Sequence, residues 1–192
     1  MTSEVTPPRH QKEPLSALLR ERIVIDAAGL GNVWPLFYDG ELFARVIEGL
    51  AAPFAGQVDK VAGVESRGFV LGAAVAARLG VGFVAIRKAD GLYPGDTVSA
   101  FSASDYRGRQ HTFRLQLAAL AAGDRVGLVD DWFETGSQGL IARQLLEQAG
   151  ATYVGASIII DQLPAEKRAA LAPCHALVAA RELNFPAARA DL

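Results

Sequence analysis

This 192-residue chain has little cysteine, no excess of basic residues and no long apolar run, and each of these absences excludes a class of protein. Its single cysteine excludes an internal disulfide and is typical of a reducing compartment, so we expect a cytoplasmic protein. Basic residues are not in excess, since 19 lysines and arginines stand against 21 acids for a net charge of −2. That balance argues against a nucleic-acid partner. No apolar run is long enough to span a bilayer, so we expect no membrane partner.

The first 14 residues are polar and lack the apolar segment of a signal peptide, so we expect a loose arm over residues 1–14. Hydrophobic residues make up 51% of the chain, which is enough for one core of ordinary size. No repeat or linker divides the sequence. We therefore expect a single domain over residues 1–192, with N-terminal helices forming a small hood at 15–52 and a core at 60–184.

Apolar spacing alternates between the two regular periods along the chain. It predicts helices at residues 15–23, 41–52, 69–79, 138–146 and 165–171, and strands at 60–64, 81–86, 112–117, 126–129, 153–160 and 176–179. Strands that alternate with helices indicate an α/β fold with a mostly parallel sheet and helices on both faces. In such folds ligands bind beyond the carboxyl ends of the strands.

The most informative segment, residues 125–138, reads RVGLVDDWFETGSQ. Its apolar run at 126–129 predicts a strand buried on both faces. We expect that strand to end at two adjacent carboxylates, Asp130 and Asp131. Carboxylate oxygens accept hydrogen bonds, so this pair is suited to a sugar diol.

A loop containing Thr135, Gly136 and Ser137 follows and leads into the predicted helix. The first backbone amides of a helix are unpaired and partly positive, so they can bind a phosphate. The two hydroxyls add donors, and the glycine allows close approach of the ligand. Together with the acid pair, the loop suits a ribose 5-phosphate unit, although an ordinary turn capped by Thr135 or Ser137 would read similarly.

The segment resembles the phosphoribosyl pyrophosphate (PRPP) motif of the type I phosphoribosyltransferases. In that family four apolar residues precede two acids, and a Thr-Gly pair closes the loop. The resemblance implies that Asp130 and Asp131 bind the ribose hydroxyls, that residues 134–137 form the PRPP loop, and that either acid is available to Mg²⁺. Glu134 lies inside this loop. Because a carboxylate repels phosphate, we expect it to face outward or toward a cationic acceptor.

A second signal lies at residues 63–69, which read GVESRGF. A guanidinium at a helix N-terminus pairs well with pyrophosphate oxygens. The segment is similar to the pyrophosphate-binding loop of adenine-specific members of the family. That similarity implies that Ser66 and Arg67 bind pyrophosphate, whereas Arg67 alone would read as a solvated turn residue.

A third signal lies at residues 86–95, which read IRKADGLYPG. Adenine-specific members have a similar Ile-Arg-Lys segment ending in Leu-Pro-Gly, which lies at a dimer contact and directs a basic residue toward the pyrophosphate. The resemblance implies a homodimer and makes Arg87 and Lys88 candidates. Adjacent side chains on a strand point to opposite faces, so we expect only one of the two to face the site.

Residues 92–110 form a long polar stretch, for which we expect a mobile lid. A lid would exclude water while the bond between ribose C1 and pyrophosphate breaks. In the family an acid-Tyr pair in the lid assists proton transfer. Asp105, followed by Tyr106, is the nearest equivalent, so the resemblance makes Asp105 the catalytic candidate.

The chain departs from the family in two places. Residues 29–37 lack the Arg-Asp pair with which adenine-specific members cover the base, leaving Trp34 and Phe37 either to stack on the acceptor or to pack within the hood. The PRPP loop has Trp132, Phe133 and Glu134 where the family has small residues, and Gln138 replaces a hydroxyl residue. By resemblance, Leu163 forms one wall of the acceptor pocket.

These features predict a Mg²⁺-dependent phosphoribosyltransferase that transfers ribose 5-phosphate from PRPP to a nucleobase, most simply adenine. One alternative is the same chemistry on another heterocycle or on an amine or hydroxyl metabolite. Another is a PRPP-sensing protein without turnover. The sensor ranks last because no basic face or helix-turn-helix pattern accompanies the motif.

Overall fold

The computed structural model describes residues 13–26, 31–88, 93–102 and 111–184. Its helices are α1 (Leu15–Arg22), α2 (Pro35–Tyr38), α3 (Gly40–Ala51), α4 (Arg67–Leu79), α5 (Ser137–Gln148) and α6 (Ala165–Ala170). Its strands are β1 (Val24–Ile25), β2 (Gly31–Asn32), β3 (Lys60–Val64), β4 (Gly82–Lys88), β5 (Thr97–Phe101), β6 (Thr112–Gln116), β7 (Arg125–Phe133), β8 (Thr152–Asp161) and β9 (Cys174–Ala179).

A seven-stranded sheet in the order β5-β6-β4-β3-β7-β8-β9 forms the centre of the fold. The five strands from β4 to β9 in this order run parallel, while β5 and β6 add an antiparallel edge beside β4. The prediction of a mostly parallel α/β sheet is confirmed. Because β3, β7 and β8 are parallel neighbours, their carboxyl ends meet at one edge of the sheet.

Helices cover both faces of the sheet, as predicted. Strand β3 shows why, since Val61 belongs to one buried cluster while Ala62 and Val64 belong to the other. Helices α1, α3 and α4 contribute to the first cluster, and α5 contributes to the second. Alternate side chains of a strand point to opposite faces, and each face here is apolar, so both require a covering layer.

The N-terminal hood contains a small ribbon in which β1 and β2 pair antiparallel, followed by α2 and α3. Asp39 caps α3, because its Oδ1 accepts hydrogen bonds from the backbone amides of Glu41 at 3.0 Å and Leu42 at 3.1 Å. Neither the ribbon nor α2 was predicted. Each is shorter than the windows over which apolar periodicity can be read.

Two predicted loops contain strand in the structure. Strand β7 continues to Phe133 instead of ending at the acid pair, because it stays paired with β8 as far as the Phe133–Asp161 position. Residues 97–101, predicted to lie within a lid, form β5, which pairs with β6 and buries Ala100. In the part of the chain that the structure describes, no helix combines the length and apolar character needed to cross a membrane.

Candidate active site

The two acids lie within strand β7, just before its last two residues, and not in the loop that follows the strand. Asp130 is 7% exposed and Asp131 is 5% exposed, and both follow Val129, the last β7 residue paired with β3, on the part of β7 that stays paired with β8. The backbone amide of Asp131 donates a hydrogen bond of 2.9 Å to Oδ1 of Asp130. Regular strand pairing therefore fixes both carboxylates at the carboxyl edge of the sheet.

One arginine compensates the charge of this pair. Nε of Arg67 donates to Oδ2 of Asp131 at 2.5 Å. Burial raises the pKa of Asp130 well above its usual range, and the neighbouring charge of Asp131 raises it further, while Arg67 opposes the shift. A carboxylate whose pKa is raised by burial and by a neighbouring charge is typical of a functional site.

Arg67 begins helix α4, and the first turn of this helix is packed tightly against the acids. A Cβ added to Gly68 would lie 3.0 Å from Oδ1 of Asp130, and one added to Gly63 would lie 2.1 Å from the Gly68 carbonyl oxygen. Any larger residue at Gly63 or Gly68 would push the turn away from the acid pair. Of the two residues predicted to bind pyrophosphate, Arg67 contacts the acid pair, and the exposed Ser66 directly precedes it in the chain.

The two basic residues at the end of β4 differ in their surroundings. Nε of Arg87 lies 3.6 Å from Oε2 of Glu65, and its guanidinium lies 5.7 Å from the centre of the Tyr93 ring. The backbone amide of Lys88 donates to the same Glu65 oxygen at 3.0 Å, while the Lys88 side chain is exposed. Glu65 thus connects the end of β4 to the turn that contains Arg67.

The predicted phosphate loop lies beyond the end of β7. Gly136 has a φ of 73°, in the left-handed region that favours glycine, and directly precedes α5. Thr135 Oγ1 and Ser137 Oγ lie 3.0 Å apart, and both side chains are exposed, as is Glu134. The exposed hydroxyls and the first amides of α5 make this loop suited to a phosphate group.

The acceptor candidates lie on two elements. Trp34 is 41% exposed, and its ring centre lies 5.2 Å from that of Phe37, which in turn packs on Phe43 at 5.3 Å. Leu163 follows β8 and is half-buried, and a Cβ added to Gly136 would lie 2.7 Å from its Cδ2. Leu163 thus borders the phosphate loop. Asp105 lies outside the described residues.

Sequence reasoning missed how the segment after β8 is held. Asp161 is 6% exposed, forms an ion pair with Arg168, and accepts a hydrogen bond of 2.9 Å from the backbone amide of Leu163. The acid at the end of the strand was visible in the sequence. Its partner was not, because the α6 residues carry several charges of both signs and nothing marks Arg168 among them.

The positions of Trp132 and Phe133 were also missed. Phe133 packs beneath the first turn of α5, where a Cβ added to Gly139 would lie 2.8 Å from the Phe133 ring. Trp132 packs on the opposite face, against the hood. The sequence signal for these two positions is a glycine opposite each ring, Gly31 for Trp132 and Gly139 for Phe133. Each glycine lies on another element, so the pairing cannot be recognised without the fold.

Comparison with known proteins supports the same class of site. The phosphoribosyl transferase domain family matches residues 36–171, which include the acid pair, the turn at Arg67 and the phosphate loop. This chain belongs to that family, and the prediction of a phosphoribosyltransferase enzyme is confirmed.

Individual relatives are similar over most of their length. An adenine phosphoribosyltransferase of Maricaulis maris is 45% identical over 68% of this chain and 73% of its own. One from a Bradyrhizobium species is 44% identical over 77% of this chain and 84% of its own. The crystal structure of the Saccharomyces cerevisiae adenine phosphoribosyltransferase, complexed with D-2,5-dideoxy-2,5-imino-altritol 1,6-bisphosphate and adenine, covers 85% of this chain and 98% of its own, with a TM-score of 0.76 and 28% identity.

Proposed function

We propose that this enzyme transfers ribose 5-phosphate from PRPP to adenine, which yields AMP and pyrophosphate. The observation that supports it most is the placement of the buried acid pair between two loops suited to phosphate. Arg67 contacts the acid pair directly, and the loop at residues 135–137 follows the end of the strand that contains the pair. PRPP has a ribose diol between a 5-phosphate and a pyrophosphate, in the same order.

Each group has a distinct role in this proposal. Asp130 and Asp131 accept hydrogen bonds from the ribose hydroxyls and stabilise the positive charge that develops on the ribose ring as its C1 bond breaks. Thr135, Ser137 and the first amides of α5 hold the 5-phosphate. Ser66 and Arg67 orient the pyrophosphate as it leaves.

Two cations at the end of β4 are candidates to bind the leaving group, and only one of them is expected to face it. Arg87 is held beside the turn at Arg67 through Glu65, while the exposed Lys88 side chain is available to the pyrophosphate or to a second subunit. Asp105 is proposed as the group that accepts the acceptor's proton, on the strength of the family resemblance alone.

The donor set fits a magnesium ion that arrives with PRPP. Within the described ranges, no group of three or more His, Cys, Asp or Glu residues is placed to hold a metal ion. Mg²⁺ in phosphate-transfer sites is usually held by one or two carboxylates together with substrate phosphates and water, which matches the Asp130–Asp131 pair. When bound, the ion would neutralise charge on the pyrophosphate.

Adenine is the proposed acceptor because relatives that carry its name match most of this chain, and because the yeast structure contains adenine. The hood also offers Trp34 and Phe37 as aromatic surfaces for a flat base. Phe37 is packed on Phe43, so the more exposed Trp34 ring is the better placed for stacking.

The test is pyrophosphate release from Mg²⁺–PRPP with adenine, the other nucleobases, and a panel of amines and alcohols. Release with adenine and formation of AMP supports the proposal. Release only with another acceptor would replace adenine with that substrate. No release with any acceptor, combined with measurable PRPP binding, would favour a sensor.

The second candidate, the same transfer to another acceptor, is favoured by one observation. Trp132, a bulky residue beside the acid pair, contacts the hood at Gly31, and the hood segment has no Arg-Asp pair. The acceptor side of the site is therefore built differently from the pattern of adenine-specific members.

We also propose a cytoplasmic homodimer. The dimer rests on the Ile-Arg-Lys resemblance at residues 86–88, and the location rests on the scarcity of cysteine. Sedimentation velocity across a range of concentrations would show a single species of twice the chain mass if the dimer is correct, and a monomer if it is wrong.

A further inference from the structure

Trp132 occupies the junction between three parts of the proposed site. It follows the acid pair directly and precedes the phosphate loop. Its neighbour Phe133 packs with the buried cluster that includes α5, whereas Trp132 packs with the cluster that includes the hood and α3. Consecutive strand residues point to opposite faces, so strand β7 ends with one aromatic ring on each side.

The indole ring fits against a hood residue that has no side chain. A Cβ added to Gly31 would lie 1.7 Å from Cζ3 of Trp132 and 2.5 Å from its Cη2. Gly31 belongs to β2, and the next residue, Asn32, accepts the backbone N–H of Trp34 through Oδ1 at 3.1 Å. The Trp132 ring therefore limits how closely the β1–β2 ribbon can approach strand β7. This ribbon leads directly to the exposed Trp34.

The same indole also reaches the segment after β8. Its Nε1–H donates a hydrogen bond of 3.0 Å to Oε1 of Gln162, and the backbone amide of Gln162 donates one of 2.9 Å to the Phe133 carbonyl. Gln162 precedes Leu163. One side chain thus contacts both elements that hold acceptor candidates, the hood and the segment after β8.

We infer that Trp132 is a positioning residue that sets the spacing between the hood and Leu163 and thereby controls the affinity for the acceptor, with little effect on PRPP. This inference rests on the proposed function. The acids and the phosphate loop are held by β7 pairing, by Arg67 and by Phe133, none of which depends on the indole ring.

Steady-state kinetics of Trp132→Leu and Gly31→Ala, with adenine and PRPP each varied in turn, measure the change in affinity for each substrate. Trp132→Leu removes the ring and its N–H donor, and Gly31→Ala pushes the ribbon off the ring. Each should raise the KM for adenine about tenfold and change the KM for PRPP by less than about twofold. The matched control is Gly40→Ala in the same hood, where an added Cβ meets nothing within 4 Å, and it should leave both constants unchanged.

The double variant Gly31→Ala/Trp132→Leu tests whether the two residues act through each other. When leucine replaces Trp132, the methyl group of an alanine at position 31 no longer meets the indole ring. Adding Gly31→Ala to Trp132→Leu should therefore change the KM for adenine very little. Equal rises in both KM values, or a Gly31→Ala enzyme that matches Gly40→Ala, would overturn the inference.

A substrate-free measurement separates this inference from the proposed function. Thermal unfolding of wild type, Gly31→Ala, Trp132→Leu and the double variant should show that Gly31→Ala lowers Tm only when Trp132 is present, and an equal loss in both backgrounds would overturn the contact. If wild-type protein uses a base other than adenine, the proposed function fails while the same KM comparison, made with that base, still decides the role of Trp132.

Discussion

Strand β7 has charged groups at both ends, and the two ends are built in opposite ways. At its amino end, Arg125 donates from Nε and Nη2 to the two oxygens of Asp59 at 3.0 and 2.8 Å, and Lys60 lies 2.9 Å from Asp124. At its carboxyl end, Asp130 and Asp131 are adjacent and buried, and Arg67 is their nearby cation.

The pKa values show what the difference means. Hydrogen bonds from Arg125 lower the pKa of Asp59 from its usual 3.8 to about 2, because its charged form is favoured. Burial and Asp131 raise the pKa of Asp130, because its charged form is disfavoured. At the amino end each acid is paired with a basic residue of the chain itself, Asp59 with Arg125 and Asp124 with Lys60. The acids at the carboxyl end are matched only in part, because two acids share one arginine, and the proposed ligand would add hydroxyl donors and a cation.

Replacing the two acids at the carboxyl end of β7 should have the largest effect on activity. Asp130→Asn and Asp131→Asn keep the size of the side chains but remove a charged acceptor for the ribose hydroxyls. A hydrogen bond to a charged group is worth about 1.5–3 kcal/mol, so we expect kcat/KM to fall about 10- to 100-fold in each variant. Steady-state assays of AMP formation measure this, with Asp59→Asn as an amino-end control that should retain full activity.

Asp130→Asn should at the same time stabilise the fold. A raised pKa in the folded state means that the stability contribution of Asp130 is present at low pH and is lost as pH rises through that raised value. Asparagine does not ionise, so the variant should have a higher Tm than wild type at neutral pH and should match it in acid. A lower Tm at neutral pH would show that the acid pair is not under electrostatic strain.

The arginine that pairs with Asp131 should be next in effect. Arg67→Lys keeps the positive charge but loses the planar set of donors that matches phosphate oxygens, so we expect the KM for PRPP to rise about tenfold. Lys60→Arg is the matched exchange at the amino end and should leave the kinetics unchanged. Equal behaviour of the two variants would contradict the assignment of Arg67 to the pyrophosphate.

Glycine substitutions compare the loops at the two ends. Gly136 and Gly123 have φ values of 73° and 84°, so alanine at either position should cost about 1 kcal/mol of stability through backbone strain. Only at Gly136 would the added Cβ also meet Leu163. Gly136→Ala should therefore raise the KM for PRPP several-fold, whereas Gly123→Ala should lower Tm alone. Both are read from one set of kinetic and unfolding curves.

The smallest expected effect is at Asp59. Its lowered pKa gives a stability contribution that is present above the usual value of 3.8 and is lost as pH falls toward about 2. Asp59→Asn should unfold slightly more easily than wild type at pH 5, and the difference should shrink as pH falls through about 2. Acid titration followed by circular dichroism measures it. A change in activity would contradict the separation of the two ends.

The parallel core could be predicted from the sequence because its strands are continuous apolar runs. The run at residues 126–129 also indicated a strand with the two acids near its carboxyl end, and the Thr-Gly-Ser segment indicated the turn before α5. What failed was the end of β7, since two aromatic residues after two acids read as a loop. Their partners, Gly31 and Gly139, belong to other elements, and no local pattern pairs a ring with a distant glycine.

The strand β5 was missed for a related reason. It lies at the edge of the sheet, with Ala100 buried and Phe101 exposed, so its apolar alternation is weak. The pairing of Arg67 with Asp131 was likewise not predicted. Each residue was recognised from its own motif, but the distance between them depends on β3 and β7 being neighbours.

The most direct test of the whole account is the formation of labelled AMP from labelled adenine and Mg²⁺–PRPP, measured side by side for wild type and Asp130→Asn/Asp131→Asn. We predict rapid AMP formation by wild type and almost none by the double variant, with the fold of both intact by circular dichroism. AMP formation that is unaffected by loss of both carboxylates, or none by wild type, would contradict it.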